Sequence, residues 1–528
     1  MKTPIKIDCN YWLLPLHSRN SGALHVLRDA ATGAVLRHFQ ADLVEGVPQL
    51  HACYPVGDFR GRTLELECDD PARFLRLARP VDTPPPNDSA AAQAWRPRVH
   101  FSVRRGWMND PNGLCFEHGR YHLFYQYNQM SLTWHNSMCW GHAVSTDLLH
   151  WHELDPALYP DENGSCFSGT AVVDTENHAG LNADILLFYT ACGRVAPEPR
   201  PFTQCLAYSR DHGESFVRFA GNPAMGHVYG ENRDPKVFFH APTAHWVMLL
   251  YLGRIDGAHT YQFFHSDNLT DWREGEKIVT REASECPDFF EIVCVNAPEE
   301  RYWVMMTAWG YYRIGHFDGY HFESLTPERS MLAWRHYGTA YAAQTFANTG
   351  ERTVMLFWLN GDYPVQTGFN QSLGIPLDVG LTNSVDGLWL TTEPLRELAS
   401  LRDGVFRYPE QTLDELSRLR GQAFDLEVEF SGRCLCSLWL RGLECVFDPG
   451  RGEVRFDGAA FPAAEAGRPC RLRLLIDQGS VEIFADGGRQ YFAKRALFPP
   501  EFDYLASFGA AEGVTSMTVW RLKGIGSE

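Results

Sequence analysis

Ser145-Thr146-Asp147-Leu148-Leu149-His150-Trp151 decides the fold, because the same pattern returns along the chain. It recurs as Ser209-Arg210-Asp211 with Phe216, as Ser266-Asp267-Asn268-Leu269-Thr270-Asp271-Trp272, and as Phe317-Asp318-Gly319-Tyr320-His321-Phe322. In each copy an acidic turn residue precedes a large aromatic by about five positions at most. Apolar runs such as Ile185-Leu-Leu-Phe-Tyr189 and His245-Trp-Val-Met-Leu-Leu-Tyr251 lie between the copies and read as buried strands. A recurrence every ~50 to 65 residues in an all-β segment predicts propeller blades, each a four-stranded sheet too small to bury its own face. Chance repetition of Ser/Asp turns is the competing explanation. Four blades can be traced within residues 98–400, and a fifth is needed to fill that segment.

Outside it the pattern changes. Residues 1–80 read as short strands: Thr63-Leu-Glu-Leu-Glu-Cys68 alternates apolar and polar, and Asp29-Ala-Ala-Thr-Gly33 is a turn between two apolar runs. The prolines and small residues of 81–97 mark a linker. In residues 401–528, Phe424-Asp-Leu-Glu-Val-Glu-Phe430, Arg471 to Ile476, Ser480 to Phe484 and Val514 to Leu522 look like strands of a two-sheet sandwich, with one helix predicted near Leu413 to Gly421. The predicted fold class is therefore all-β: a small N-terminal β domain, a linker, a five-bladed β-propeller and a C-terminal β-sandwich.

A chain of 528 residues exceeds one ordinary core, and 45% hydrophobic with 13% aromatic residues suffices to fill several. A net charge of −18 argues against nucleic acid and against an anionic membrane surface, and favours a neutral substrate. Asp8, Asn10 and Pro15 interrupt any signal-peptide core, and no apolar run approaches the ~18 to 20 residues of a membrane span. The 14 cysteines are scattered, with Cys434-Leu435-Cys436 the one close pair, which predicts reduced thiols and a cytoplasmic location. Whether the chain forms a homo-oligomer is left open.

Chemistry resides in three carboxylates of the middle segment. Asp110 sits in Trp107-Met-Asn-Asp-Pro-Asn-Gly113, Asp234 in Asn232-Arg-Asp-Pro-Lys236, and Glu285 in Ser284-Glu-Cys-Pro-Asp288. Asn-Asp-Pro-Asn-Gly is also an ordinary β-turn sequence. In the functional reading Asn109 and Asn112 hold Asp110 ionised, Pro111 fixes the backbone and Trp107 offers an apolar platform. Each carboxylate belongs to a different blade, so all three can converge in a central funnel. Paired carboxylates are what glycoside cleavage requires, and a third beside an arginine can hold sugar hydroxyls.

These motifs, in this order, resemble glycoside hydrolase family 32, the β-fructofuranosidases, exo-inulinases and levanases. Gln126-Tyr-Asn128, Trp134, Trp140-Gly-His-Ala143, Phe167-Ser-Gly-Thr170 and Leu475 to Phe484 carry the resemblance further, over residues 96–528. It implies a five-bladed propeller followed by a sandwich, with Asp110 as nucleophile, Glu285 as acid/base and Asp234 as transition-state stabiliser. It further implies a fructosyl pocket lined by Asn109, Gln126, Trp134, Phe167, Ser168 and Arg233, with Tyr341 and Trp358 as further candidates. Gln129 and Ser284 depart from the family pattern and put the leaving-group preference in question. The implied activity is retaining, exo-acting release of fructose from β-fructofuranosides without cofactor or metal. Sucrose-6-phosphate hydrolysis and fructosyl transfer stand as alternatives using the same trio. A non-catalytic carbohydrate-binding propeller is a weaker one, since binding needs no nucleophile, stabiliser and acid together. His135, His142, His150 and His152 suggest a metal, but no histidine stands at the spacing a zincin motif needs.

Overall fold

The structure, a computed structural model, describes the whole chain except residues 18–21, 136, 283, 334–337, 500–502, 510 and 527–528. Five antiparallel blades form the centre, the fourth and fifth joined into one ten-stranded sheet by a parallel pairing of Cys294 with Leu381. The first runs Gly106–Glu117, Arg120–Asn128, Cys139–Ser145, His152–Leu158, and the second Ser165–Val173, Ile185–Cys192, Thr203–Ser209, Val217–Arg218. The third runs Arg233–His240, His245–Ile255, Ala258–Ser266, Arg273–Thr280; the fourth Asp288–Cys294, Ala297–Met306, Tyr311–Phe317, Phe322–Ser324. The fifth comprises Ala340–Thr345, Thr353–Leu359, Leu377–Ser384 and Gly387–Pro394. The opening strand of each sheet is innermost. The fifth sheet closes the ring on the first, where Ala347 N–H donates to the Leu114 carbonyl at 2.8 Å and Phe116 N–H to the Ala347 carbonyl at 2.9 Å.

The repeated turn has one cause. At the end of the third strand in the first two blades a serine hydroxyl and a carboxylate lock together: Ser145 Oγ donates to Asp147 Oδ1 at 3.0 Å, and Ser209 Oγ to Asp211 Oδ1 at 2.7 Å. In the fourth, whose third strand ends at Phe317, Asp318 Oδ1 instead accepts from the Tyr320 and His321 N–H groups at 2.8 and 2.7 Å. In the third blade the partner of Ser266 is Asn268, at 3.2 Å, and not the acidic Asp267, because the geometry needs a side-chain oxygen two residues on rather than a charge. The fifth blade carries a copy that the sequence reading missed. Ser384 Oγ donates to Asp386 Oδ1 at 2.6 Å, and Trp389 follows. Its turn is a two-residue hairpin pairing Ser384 with Gly387, so the aromatic arrives early, and residues 360–376 break the spacing.

The N-terminal unit stacks a four-stranded sheet on a three-stranded one. It also has the helix Pro71–Leu77, started by Asp70, whose side chain accepts from Arg73 N–H at 2.9 Å. This helix was not expected among strands. The stretch read as linker contains the helix Ala90–Trp95, with Ala92 buried in the propeller core. The sandwich has sheets of six and five strands. Phe424, Leu426, Val428 and Phe430 all point into its core, as their alternation predicts, and the helix near Leu413 is present as Leu413–Ser417 with a Thr412/Glu415 capping box.

A buried ionic group joins propeller to sandwich. His100 places Nδ1 2.7 Å from Asp477 Oδ2 and Nε2 2.9 Å from Glu482 Oε2, with all three side chains inaccessible to solvent. Asp477 also accepts from the backbone N–H groups of Arg98 and Val99 at 2.8 and 3.0 Å.

Candidate active site

Innermost strands would normally send alternate side chains to opposite faces, which could not crowd several polar groups into one cavity. Four of the five break that alternation at the same level. Pairing register shifts between Met108 and Pro111, Cys166 and Gly169, Arg233 and Lys236, and Tyr341 and Gln344. Each bulge re-aims the residues inside it: Asn109 and Asp110, Phe167 and Ser168, Asp234, and the neighbourhood of Tyr341. Proline follows both aspartates, and it lacks the N–H that a regular ladder needs. In the fourth blade Glu285-Cys286-Pro287 lies just before the innermost strand. Asp234 (φ 61°) and Cys286 (φ 52°) adopt left-handed backbone, a strain that marks the floor of the cavity. Gly113 (φ 53°) closes the first motif because a Cβ there would stand 2.9 Å from the Phe124 ring and 3.0 Å from that of Trp140.

One cavity is lined by Asn109, Asp110, Gln126, Trp134, Phe167, Ser168, Arg233, Asp234, Glu285, Tyr341 and Trp358, together with Cys286. The three carboxylates and every residue expected to line the fructosyl pocket lie on it, while Trp107 and Asn112 do not; Cys286 was missed. Its thiol is 3.8 Å from Asp110 Oδ2 and 3.6 Å from Asp234 Oδ2, and its N–H donates to Asp234 Oδ2 at 3.1 Å. Burial and the three carboxylates push that thiol well above its ordinary range, so it stays a donor. Its position within Glu-Cys-Pro was the available signal.

Asp110 accepts from Asn109 Nδ2 at 3.0 Å and from Ser168 Oγ at 2.8 Å. Burial opposes its ionised form, which Asn109 favours as expected. Burial raises its carboxyl to about 6, with Glu285 adding to the rise, against the lowering by Asn109, Ser168 and Cys286. Two other roles change. Trp107 is buried, and its Nε1–H donates to Asn109 Oδ1 at 2.9 Å, so it orients that amide instead of offering a platform. Asn112 faces away from Asp110; its amide, turned to suit its neighbours, accepts from Gln126 N–H at 3.1 Å and Nε2–H at 3.0 Å.

Asp234 is also raised by burial, with Arg233 opposing the rise and Glu285 and Asp110 adding to it. Its N–H is held by Thr190 Oγ1 at 3.0 Å. Arg233 grips Glu285 Oε2 through Nη2 at 2.7 Å and Nε at 3.0 Å, and Tyr341 OH donates to Glu285 Oε1 at 2.7 Å. Arg233 is thus shared by Glu285 and, at 3.7 Å, Asp234, and the negative charge the carboxylates place on one another adds to the rise of Asp110 and Asp234. Ser284, one of the two departures, places its hydroxyl 3.1 Å from Tyr341 OH. Beneath the carboxylates Lys236 Nζ lies 2.5 Å from Asp288 Oδ1, and Thr345 N–H donates to Asp288 Oδ2 at 2.7 Å. This buried pair ties three blades into a floor. Of the histidines that had suggested a metal, His142 pairs with His122 and His150 with Asp147.

Comparison with known proteins agrees with this geometry. The family model described as the glycosyl hydrolases family 32 N-terminal domain matches residues 100–394, and that of the family's C terminal matches 444–521. A levanase of Bacillus subtilis (strain 168) is 31% identical over 500 residues, covering 81% of this chain and 70% of its own length. Invertase 2 of Saccharomyces cerevisiae is 33% identical over 275 residues, 48% of this chain and 50% of the invertase. In three dimensions the exo-inulinase of Aspergillus awamori superposes with a TM-score of 0.71 at 23% identity, over 82% of this chain and 99% of the inulinase. Fructan 1-exohydrolase IIa of Cichorium intybus gives 0.66 at 21% identity, over 82% of this chain and 98% of the exohydrolase. Those two share the five-bladed propeller and sandwich. With the blades, the convergent carboxylates and both halves of the family pattern accounted for, the chain belongs to glycosyl hydrolases family 32.

Proposed function

We propose that the protein is a retaining β-fructofuranosidase that releases fructose from the ends of fructosides, with residues 98–400 as its catalytic propeller. One observation carries the reading: carboxylates from three separate blades meet in one cavity, with the Cys286 thiol beside two of them. Asp110, fixed on the floor by Asn109 and Ser168, attacks the anomeric carbon. Glu285 protonates the departing oxygen as that bond breaks, leaving a fructosyl ester on Asp110. Water then loses a proton to Glu285 and displaces the ester, restoring both groups. Asp234, held by Thr190 and Cys286, stabilises the cationic transition state and accepts sugar hydroxyls. We read the Lys236–Asp288 pair as closing the cavity at its inner end, which would restrict attack to a chain terminus.

Levanase, invertase and inulinase relatives support fructosides as substrates. We also place the protein in the cytoplasm, on the strength of fourteen free cysteines, eleven of them buried. No helix among the described residues is long and apolar enough to cross a membrane. The test is chromatography of early products from sucrose, its 6-phosphate, and inulin- and levan-type oligomers. Free fructose is expected as the dominant product; fragments of intermediate length would overturn exo action, and oligomers longer than the substrate would reveal transfer. Asp110→Ala and Glu285→Ala should each lower kcat by at least about a thousandfold in a folded protein. Wild-type turnover in either would overturn the assignment of roles.

A further inference from the structure

The N-terminal unit lies ahead of the region matched by the family model, yet it shares a core with the propeller. Met130, Leu132 and Tyr159 are buried in the same apolar cluster as Trp12, Phe39, Tyr54 and Phe74. Met130 and Leu132 stand in the connection between Arg120–Asn128 and Cys139–Ser145, whose span far exceeds the few residues an antiparallel hairpin needs. Two residues beyond Leu132, Trp134 projects onto the cavity, 49% exposed, with its ring 6.4 Å from that of Phe167. The connection makes no ladder of its own there. It is pinned at Leu132, 2% exposed, whose carbonyl accepts from Asn370 Nδ2 at 2.7 Å. A second pin is Ser137, whose Oγ accepts from the Gln40 N–H of the N-terminal unit at 3.3 Å. Trp134 is therefore flanked by Leu132, whose side chain lies in the N-terminal core while its carbonyl is held by the propeller, and by Ser137, held by the N-terminal unit.

We infer that the N-terminal unit is a positioning element of the active site: through Met130 and Leu132 it fixes Trp134 against the cavity and so sets how tightly a fructoside is held. The inference rests on the reading of the cavity as a fructoside site. Half-exposed Trp134 has the Phe167 ring beside it at 6.4 Å but relies on its connection for the rest of its placement, and an apolar ring grips a sugar only when held in place. The carboxylates are secured within the propeller, Asp110 and Asp234 on bulges and Glu285 just before an innermost strand, so loosening this connection weakens binding and leaves the chemical step intact.

The test compares Leu132→Ala with Leu64→Ala, which opens a similar hole in the same core on the strand Thr63–Glu67. Leu132→Ala should raise KM for sucrose about three- to tenfold with kcat within twofold, whereas Leu64→Ala lowers the melting temperature and leaves KM unchanged. In a Trp134→Ala background, Leu132→Ala should add nothing further to KM. Equal rises for Leu132→Ala and Leu64→Ala, no rise for either, or independent multiplication with Trp134→Ala would overturn the inference. Leu132→Val gives the same comparison at smaller amplitude should the alanine variant not fold. Hydrogen exchange of the peptide spanning 129–138 decides independently of turnover: it should accelerate at least about tenfold in Leu132→Ala and not in Leu64→Ala. A wild type without fructosidase activity would sink the functional reading while leaving this exchange result to judge the mechanical one.

Discussion

Asp110 shows at the scale of one residue how function and stability oppose each other. As nucleophile it must be ionised, yet burial holds its carboxyl near 6 in the folded protein, against about 3.9 for an unperturbed aspartate. Activity should therefore fall on the acid side below about pH 6, nearly tenfold per unit in kcat/KM. Ser168→Ala removes a hydrogen bond that favours the ionised form, so its acid limb should move to higher pH; an unmoved limb would assign that limb to another group. The same shift has a linkage consequence. A carboxyl raised on folding contributes stability that is complete below its unfolded pKa and is lost as pH rises through the folded value, so at neutral pH the ionised Asp110 opposes folding. Asp110→Asn keeps the shape and an acceptor for either neighbour while abolishing the charge. Thermal melts should show it more stable than the wild type by about 1 to 2 kcal/mol at pH 7.5, after discounting for solvent in the cavity, with the gap narrowing toward pH 4.5.

At the scale of the element the device is the bulge, and the third blade allows its test. Thr190 on the neighbouring blade accepts from the Asp234 N–H at 3.0 Å, and its own hydroxyl donates to Gln204 Oε1 at 2.7 Å, fully buried. Thr190→Val keeps the volume but strands that N–H, a change of about 1 to 3 kcal/mol. If the bulge aims Asp234, kcat should drop about tenfold with a smaller change in KM, and Thr190→Ser should restore it; equal loss in both variants would mean the hydroxyl does not aim the carboxylate. The sequence announced this architecture unevenly. Ser145-x-Asp147 and Ser209-x-Asp211 were readable because their hydrogen bonds are local, whereas Ser384-x-Asp386 escaped behind the inserted residues 360–376. Asp-Pro in two motifs signalled a break in strand pairing. Which side chains the break would turn inward was settled by packing between blades, so Thr190 stayed invisible, Cys286 was passed over within Glu-Cys-Pro, and Trp107 and Asn112 were credited with the wrong tasks.

At the scale of the molecule, stability rests on junctions that no local pattern announces. His100 opens the propeller segment, while Asp477 and Glu482 lie nearly 400 residues later in the sandwich, and all three are wholly buried. Burial alone would strip the imidazole of its proton; Glu482 and Asp477, one on each ring nitrogen, outweigh it and hold His100 at about 9. Asp477 is correspondingly lowered, burial being overcome by His100 and by the backbone N–H groups of Val99 and Arg98. The sign for His100 is opposite in origin to that of Asp110 but the same in direction. A base whose pKa rises on folding lends stability that is fully present below about 6.5 and is lost as pH climbs through about 9. From roughly 1.4 kcal/mol per unit, the loss amounts to about 3 to 4 kcal/mol across that window. His100→Gln preserves a hydrogen-bonding side chain without the charge and leaves two carboxylates buried beside each other. It should melt lower at pH 6.5 and decline less steeply toward pH 9.5, so that the two melting curves converge at the alkaline end. Other groups titrating in this window act on both proteins alike, and the difference between them isolates the junction. Parallel declines, with no convergence, would show that the propeller and sandwich are held together by apolar packing and that His100 is a neutral bystander between them.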